Sequence, residues 1–257
     1  MPFPLFPDKL RGTPLLTAAD VIAYQQARGH LKEPPQLDAA IVCLKRGLPE
    51  RLKRKHPFRR AGHYLGDLYV LKNPKRKIAV MANFGFGAPV VAALVEELAA
   101  LGANRIVSLS LAGSLQPGLK SGDIVVCSEA LRDEGTSYHY LPAEQGVMGN
   151  PDLLRQLVAE LKSGGTQVTE GVAWSTDAPF RETREEVTHF RQQGVSVVEM
   201  ETAALYAVSQ VAGIQAASIL VAGDDLSGGK WLPPGDTWVI EEAFERVYAG
   251  AISVLDQ

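Results

Sequence analysis

The 257-residue chain contains only two cysteines, Cys43 and Cys127, and no apolar run as long as the roughly eighteen residues a membrane-spanning helix needs. Each cysteine lies inside an apolar stretch, IVC or IVVC, with no second ligand at the short spacing of a metal site or redox pair, so both are expected to be reduced core thiols. An uninterrupted apolar leader is missing too. The opening MPFPLFPDKLRGTP is broken by prolines where a signal peptide would be continuous, and a soluble, unexported, cytoplasmic protein without membrane contact is expected. There is no excess of positive charge: the formal net charge is −3, which gives no general basis for nucleic-acid binding. One local exception stands out, the basic patch KRGLPERLKRKHPFRR from Lys45 to Arg60. No internal repeat, low-complexity tract or linker is present.

What is present suits one sizeable core, with 46% hydrophobic and 21% charged residues. A Pro-rich lead-in over 1–37 is expected to precede a single α/β domain over 38–257. Short β-branched runs alternate with longer helical patterns, as in a parallel or mixed sheet. The runs AAIVCL (39–44), KIAVMA (77–82), RIVSLSL (105–111), DIVVCS (123–128), VTEGVAW (168–174), VSVVEM (195–200) and ASILVAGDD (217–225) read as strands. Helices are expected over 90–102, stopping at Gly102, over 150–162, with Asn150 as N-cap and Pro151 at the first position, and over 201–213.

In an open α/β sheet, ligands bind at the carboxyl ends of strands, where loops vary and helix N-termini point. Glu199, Met200 and Glu201 fall at such an end, as do Asp224 and Asp225, the NFGFGAP and SLAGS turns, and the loop after Trp174 carrying Phe180, Arg181 and Arg184. On residue types alone, the two glutamates read equally well as first-turn carboxylates favoured by a helix dipole, and Asp224-Asp225 as a solvated turn.

VVEMETAAL, followed by the Asp of SILVAGDD, resembles the nucleoside phosphorylase superfamily, which holds uridine phosphorylases, hexameric purine nucleoside phosphorylases and methylthioadenosine nucleosidases. FGFGAPVVAALVEELAALGANR is similar to the family's Gly-loop and helix, SLAGSLQPGLKSGDIVV to its G-T-x-G-x-x-x-P-x-x-x-x-G-D segment, and RDEGTSYHYLPAE to the matching stretch of uridine phosphorylases. The resemblance covers roughly residues 30 to 225. It implies a three-layer, phosphorylase-like α/β fold with a central mixed β-sheet flanked by helices. The implied activity is cleavage of the N-glycosidic bond of a nucleoside or deoxynucleoside by inorganic phosphate, releasing free base and pentose 1-phosphate. No metal or organic cofactor is implied, and a homodimer, or a hexamer built as a trimer of dimers, is.

The resemblance also implies residue roles. Glu201 takes the part of the ribose-binding Glu, Met200 of the Met beneath the sugar ring, and Glu199 of the first Glu of the motif, beside Ala112 and Gly113 of the turn. Asp224 matches the Asp that acts as general acid on the base in purine-cleaving members, a task for which burial would have to raise its pKa. Phe180 matches an aromatic beside the base, with a loop anchor as the alternative, and Arg184 lies close to the base-reading positions of uridine phosphorylases. Gly47 and Arg51 resemble a G-D-P-x-R phosphate loop, Arg59 or Arg60 an arginine supplied across a dimer interface, with a solvated basic face as the alternative for most of the patch, Ser110 a member of the phosphate turn, and His30 a histidine that reaches a neighbouring subunit's sugar.

The pattern breaks at two places. Ser108 and Leu111 stand where these phosphorylases keep an Arg and a Thr that hold phosphate, and Arg105, roughly 10 Å along the strand, points to the other face. Two rivals follow. A nucleosidase would keep the site and use water, and a non-catalytic nucleoside-binding module would keep the grip without turnover.

Overall fold

A computed structural model describes residues 4–6, 8–29, 33–47, 52–72 and 74–257. Its helices are α1 (Ala18–Ala27), α2 (Ala88–Ala100), α3 (Pro151–Ser163), α4 (Arg184–Gln192), α5 (Thr202–Ala212) and α6 (Thr237–Leu255). Its strands are β1 (Ala39–Cys43), β2 (Phe58–His63), β3 (Asp67–Leu71), β4 (Ile78–Ala82), β5 (Arg105–Ser114), β6 (Ile124–Asp133), β7 (Val147–Met148), β8 (Val168–Thr176), β9 (Val197–Glu199) and β10 (Gln215–Asp225). Among the described residues, no helix is long and apolar enough to cross a membrane.

The apolar runs β1, β4 and β5 are parallel neighbours, and β10 lies parallel to β5 on its other side. Strands buried on both faces need apolar residues at successive positions, which is why they read as continuous runs rather than alternations. From β10 the sheet continues through β6, β8 and β9, and β9 returns to pair antiparallel with the far end of β5, so five strands close into a ring. From β1 the sheet instead runs outward through β4 and β3 to the edge strand β2. One face is covered by α1, α2 and α5, the other by α3 and α6, giving three layers around a mixed sheet.

Local signals placed the helix ends. Asn150 Oδ1 accepts the Leu153 amide at 3.0 Å at the start of α3, and Gly213, in the left-handed region at φ 69°, ends α5. The lead-in is not featureless: Thr17 and Asp20 form a capping box that starts α1. Arg184 is not in a loop, as expected from sequence, but is the first residue of α4, whose start Thr183 and Glu186 cap reciprocally.

The closed ring has one consequence for function. On the flank of β5 away from β10, β1 pairs as far as Leu109 and β9 begins at Gly113. Residues 110–112 therefore have no strand partner on that side, and β5 is opened between the end of β1 and the end of β9. By continuation of the register, Glu199, the last residue of β9, stands level with Ala112.

Candidate active site

Glu201 occupies the N-cap position of α5 but does not cap it. Glu199 does so instead. Its Oε2 accepts the amides of Glu201 and Thr202 and the Thr202 hydroxyl, each at 2.8 Å, while its Oε1 takes the Ser175 hydroxyl. Ser175 Oγ in turn accepts the Ala203 amide at 2.9 Å, so the amides that open a helix without intrahelical partners are satisfied from β8 and β9. Glu199, expected among the substrate-binding groups, has its carboxylate engaged by protein donors.

This arrangement frees the Glu201 carboxylate. Its Oε1 accepts the Gly87 amide at 2.6 Å, and its Oε2 lies 3.3 Å from the Met200 amide. Gly87, at φ 96°, ends the NFGFGAP loop and is the N-cap of α2, so a single carboxylate joins two helix starts. Asn83 holds the other end of that loop, donating to Asp67 at 3.0 Å. Glu201 is only 5% exposed. Burial, then the neighbouring Glu199 charge, pushes its pKa up to about 7, against the pull of the Gly87 and Met200 amides. Burial raises Glu199 as well, against the pull of the hydrogen bonds from Ser175, Glu201 and Thr202. Met200 is half-buried beside them, and Ala112 and Gly113 are buried at the end of β5.

A cavity of about 560 Å³ lies at the carboxyl end of β10. Its lining brings together Phe180, Glu182, Arg184, Asp224 and Trp231 from the β8–α4 connection, α4, β10 and the segment after it. Glu201 is not on this lining. The link between the two is the pairing of Gly113 with Val198: a Cβ at Gly113 would lie 3.1 Å from Val198 Cγ1, 3.5 Å from Asp224 Oδ1 and 2.5 Å from Leu226 Cδ1. A side chain there would have to displace the tip of Leu226 and crowd Val198, while meeting Asp224 at ordinary contact distance. Asp224 is half-buried, and its Oδ2 accepts the Trp231 indole N–H at 2.7 Å. Phe180 is 99% exposed, so it does not anchor a loop in the core.

On the phosphate side the assembly is looser. Ser110 is buried and its hydroxyl donates to the Leu111 carbonyl at 3.2 Å. Ser108 is sequestered between strands, Oγ to Ser218 Oγ at 3.0 Å, whereas Leu111 is 40% exposed. Gly47, exposed and at φ 76°, turns the chain beyond the end of β1. Arg60 sits on edge strand β2 and is paired with Asp67 at 2.5 Å, the same carboxylate that holds Asn83 of the Gly loop. Hydrogen bonds from Asn83, His63 and Arg60 draw Asp67 down to about 2, so Arg60 is neutralised within the chain. His30 and Arg51 lie outside the described residues. Among the described residues, no group of three or more His, Cys, Asp or Glu side chains is arranged to hold a metal ion.

Two cavity residues escape the sequence reading. Glu182 is pushed up to about 7 by burial and then by the Asp224 and Glu186 charges, and Trp231 reaches Asp224 only because of the fold that follows β10. Neither carries a local sequence signal beyond its residue type.

The profile of the Phosphorylase superfamily matches residues 40–252, most of the chain. The chain belongs to that superfamily. Among its relatives, a uridine phosphorylase of Thermococcus kodakarensis is 30% identical over 152 residues, 54% of this chain and 55% of that protein. A guanosine phosphorylase of Halorubrum lacusprofundi is 30% identical over 149 residues, 58% of this chain and 62% of that protein. The chain thus matches less than two thirds of the length of these superfamily members. Among solved structures, uridine phosphorylase from Vibrio fischeri superposes with a TM-score of 0.70 at 25% identity, covering 85% of this chain and 90% of that one. Purine nucleoside phosphorylase from Toxoplasma gondii, solved with immucillin-H, superposes at 0.76 with 20% identity, over 86% and 92%, a likeness of fold.

Proposed function

We propose that this phosphorylase-superfamily chain is a nucleoside phosphorylase, moving a pentosyl group from a base to inorganic phosphate. The observation that carries the reading is the Glu201 carboxylate: buried, held by the Gly87 amide, freed from capping by Glu199, and two residues beyond the end of β9. Cleaving an N-glycosidic bond leaves positive charge on the sugar ring and negative charge on the departing base. A carboxylate in a low-dielectric site that accepts hydrogen bonds from the sugar hydroxyls binds that cationic ring more tightly than the neutral substrate, which lowers the barrier. Met200 would pack beneath the ring. At the other end of the ligand, Asp224 Oδ1 would deliver a proton to a purine base, and Phe180 would offer its exposed face for stacking. Gly47 and Ser110, from the neighbouring ends of β1 and β5, would meet the phosphate.

A hydrolytic reading is favoured by one observation: Ser108 is locked in the core and Leu111 offers no hydrogen bond, so two usual phosphate contacts are missing. Phosphate dependence separates the two. Incubation of the full chain with a panel of purine and pyrimidine nucleosides should release base only when phosphate or arsenate is present, with pentose 1-phosphate accumulating in phosphate. Base release at full rate in phosphate-free buffer would make the protein a nucleosidase. Tight nucleoside binding with no base released under either condition would make it a binding module. The assay on the complete protein also includes any contribution from a second copy, since the superfamily resemblance leads us to expect a homodimer or hexamer.

A further inference from the structure

The segment after β10, LSGGKWLPPGD at 226–236, folds back on the strand it leaves. Ser227 N–H donates to Asp225 Oδ1 at 2.7 Å, and Gly229, at φ 70°, turns the chain so that its amide meets the Leu226 carbonyl at 3.0 Å. Leu232 and Asp225 then exchange backbone hydrogen bonds at 2.8 and 3.0 Å. That bridge sets Trp231 next to the strand end, where its indole donates to Asp224. Despite this fixed backbone the ring is 63% exposed, on the lining of the cavity that also holds the fully exposed Phe180. Two large rings held in solvent on one cavity are costly for an unliganded surface and suit a flat aromatic ligand.

We propose that Trp231 does two things in the nucleoside-cleaving reading, on which this inference rests. Its ring forms a wall of the slot that takes the planar heterocyclic base, and its N–H holds Asp224 Oδ2 so that Oδ1, the oxygen near Gly113, is the one presented to that base. Trp231 is thus a binding residue for the base and a positioning residue for Asp224. The same lining carries Asp224 and Glu182 as acceptors and Arg184 and Lys230 as donors, so the slot suits a base whose edge presents both N–H groups and carbonyl or ring-nitrogen acceptors.

The test uses equilibrium binding of free hypoxanthine and free uracil as well as turnover, so it reads out even in a protein that releases no base. In the wild type, one of the two bases should quench tryptophan fluorescence on titration. Trp231→Phe should abolish the quench, whereas Trp238→Phe should keep it, Trp174 being buried. By calorimetry, Trp231→Ala should bind that base about five- to a hundredfold more weakly, the loss expected for one stacking partner. Trp231→Phe should keep KM within about threefold yet lower kcat about tenfold on purine nucleosides, because a ring remains while the hydrogen bond to Asp224 is lost. Unfolding temperatures of the variants should match the wild type, since the ring is largely exposed. The proposal is overturned by wild-type affinity in Trp231→Ala, by wild-type kcat in Trp231→Phe, or by a wild type whose fluorescence neither base alters. If base is bound and quenches as expected but nucleosides are not cleaved, the wall stands and the phosphorylase reading fails.

Discussion

Glu201→Gln is expected to lower nucleoside cleavage by about three orders of magnitude while leaving the protein folded. The amide is the same size as the carboxyl, and its oxygen can still accept the Gly87 N–H that joins α5 to the Gly loop, so the two helix starts stay together. What disappears is the charge. A neutral amide accepts a sugar hydroxyl without attracting the ring as it becomes cationic, so the loss should fall on kcat more than on KM. A rate within tenfold of wild type would remove Glu201 from the mechanism.

The same variant carries two pH signatures. Because the Glu201 pKa is pushed up to about 7, wild-type kcat/KM should fall as pH drops through that value and the hydroxyl acceptor becomes protonated. Glu182, also pushed up to about 7, is the competing source of such a limb, and a Glu182→Gln variant that keeps it assigns the limb to Glu201. Stability should move oppositely to activity. A carboxyl with a folded pKa of about 7 against an ordinary value of 4.5 binds protons more tightly in the folded state, so its contribution is complete below about 4.5 and is lost as pH rises through 7. At pH 8 Glu201→Gln should therefore gain stability, up to about 3 kcal/mol, readable in urea unfolding, and should gain nothing at pH 4.

Asp224→Asn should cost purine nucleosides about two to three orders of magnitude and pyrimidine nucleosides distinctly less. The asparagine keeps the indole hydrogen bond to Trp231, so the geometry survives and only the capacity to give up a proton is lost. A base that already carries its positive charge needs no acid. 7-Methylguanosine, methylated at the ring nitrogen that would otherwise be protonated, should accordingly be cleaved by Asp224→Asn at nearly the wild-type rate. Equal losses on inosine and 7-methylguanosine would contradict a proton-transfer role.

The parts legible in the sequence are those whose physics is local or uniform. β1, β4, β5 and β10 show themselves because burial on both faces demands unbroken apolar runs, and α3 because Asn150 and Pro151 mark its start. The hairpin β2–β3 is hidden, since edge strand FRRAGH turns its arginines outward and reads as part of a basic patch. α1 lies behind prolines that suggest no structure, although Thr17 and Asp20 carry its cap. α6 is a different case: Ile240, Ala243, Phe244, Val247 and Ala251 repeat at helical spacing, a signal available to the same periodicity reading but lying beyond the matched motifs.

In the site, Glu201 and Asp224 stand out as carboxylates at strand ends, and family resemblance supplies their expected roles. What no local pattern reveals is the division of labour between neighbours. That Glu199 caps α5 so that Glu201 is free depends on Ser175 from β8, and that Asp224 meets Trp231 depends on a backbone bridge between Asp225 and Leu232. The opening at residues 110–112 exists only because β1 and β9 approach β5 from opposite ends. Each is a long-range product of the closed ring.

The most direct measurement crosses the enzyme change Glu201→Gln with removal of a sugar hydroxyl, comparing kcat/KM for inosine with its 2′-deoxy and 3′-deoxy counterparts. If the carboxylate grips that hydroxyl in the transition state, deleting either partner does most of the damage, and the double change costs far less than the sum of the two free energies. Additive losses for both hydroxyls would mean that the sugar is held elsewhere and that the buried carboxylate serves only to tie α5 to the Gly loop.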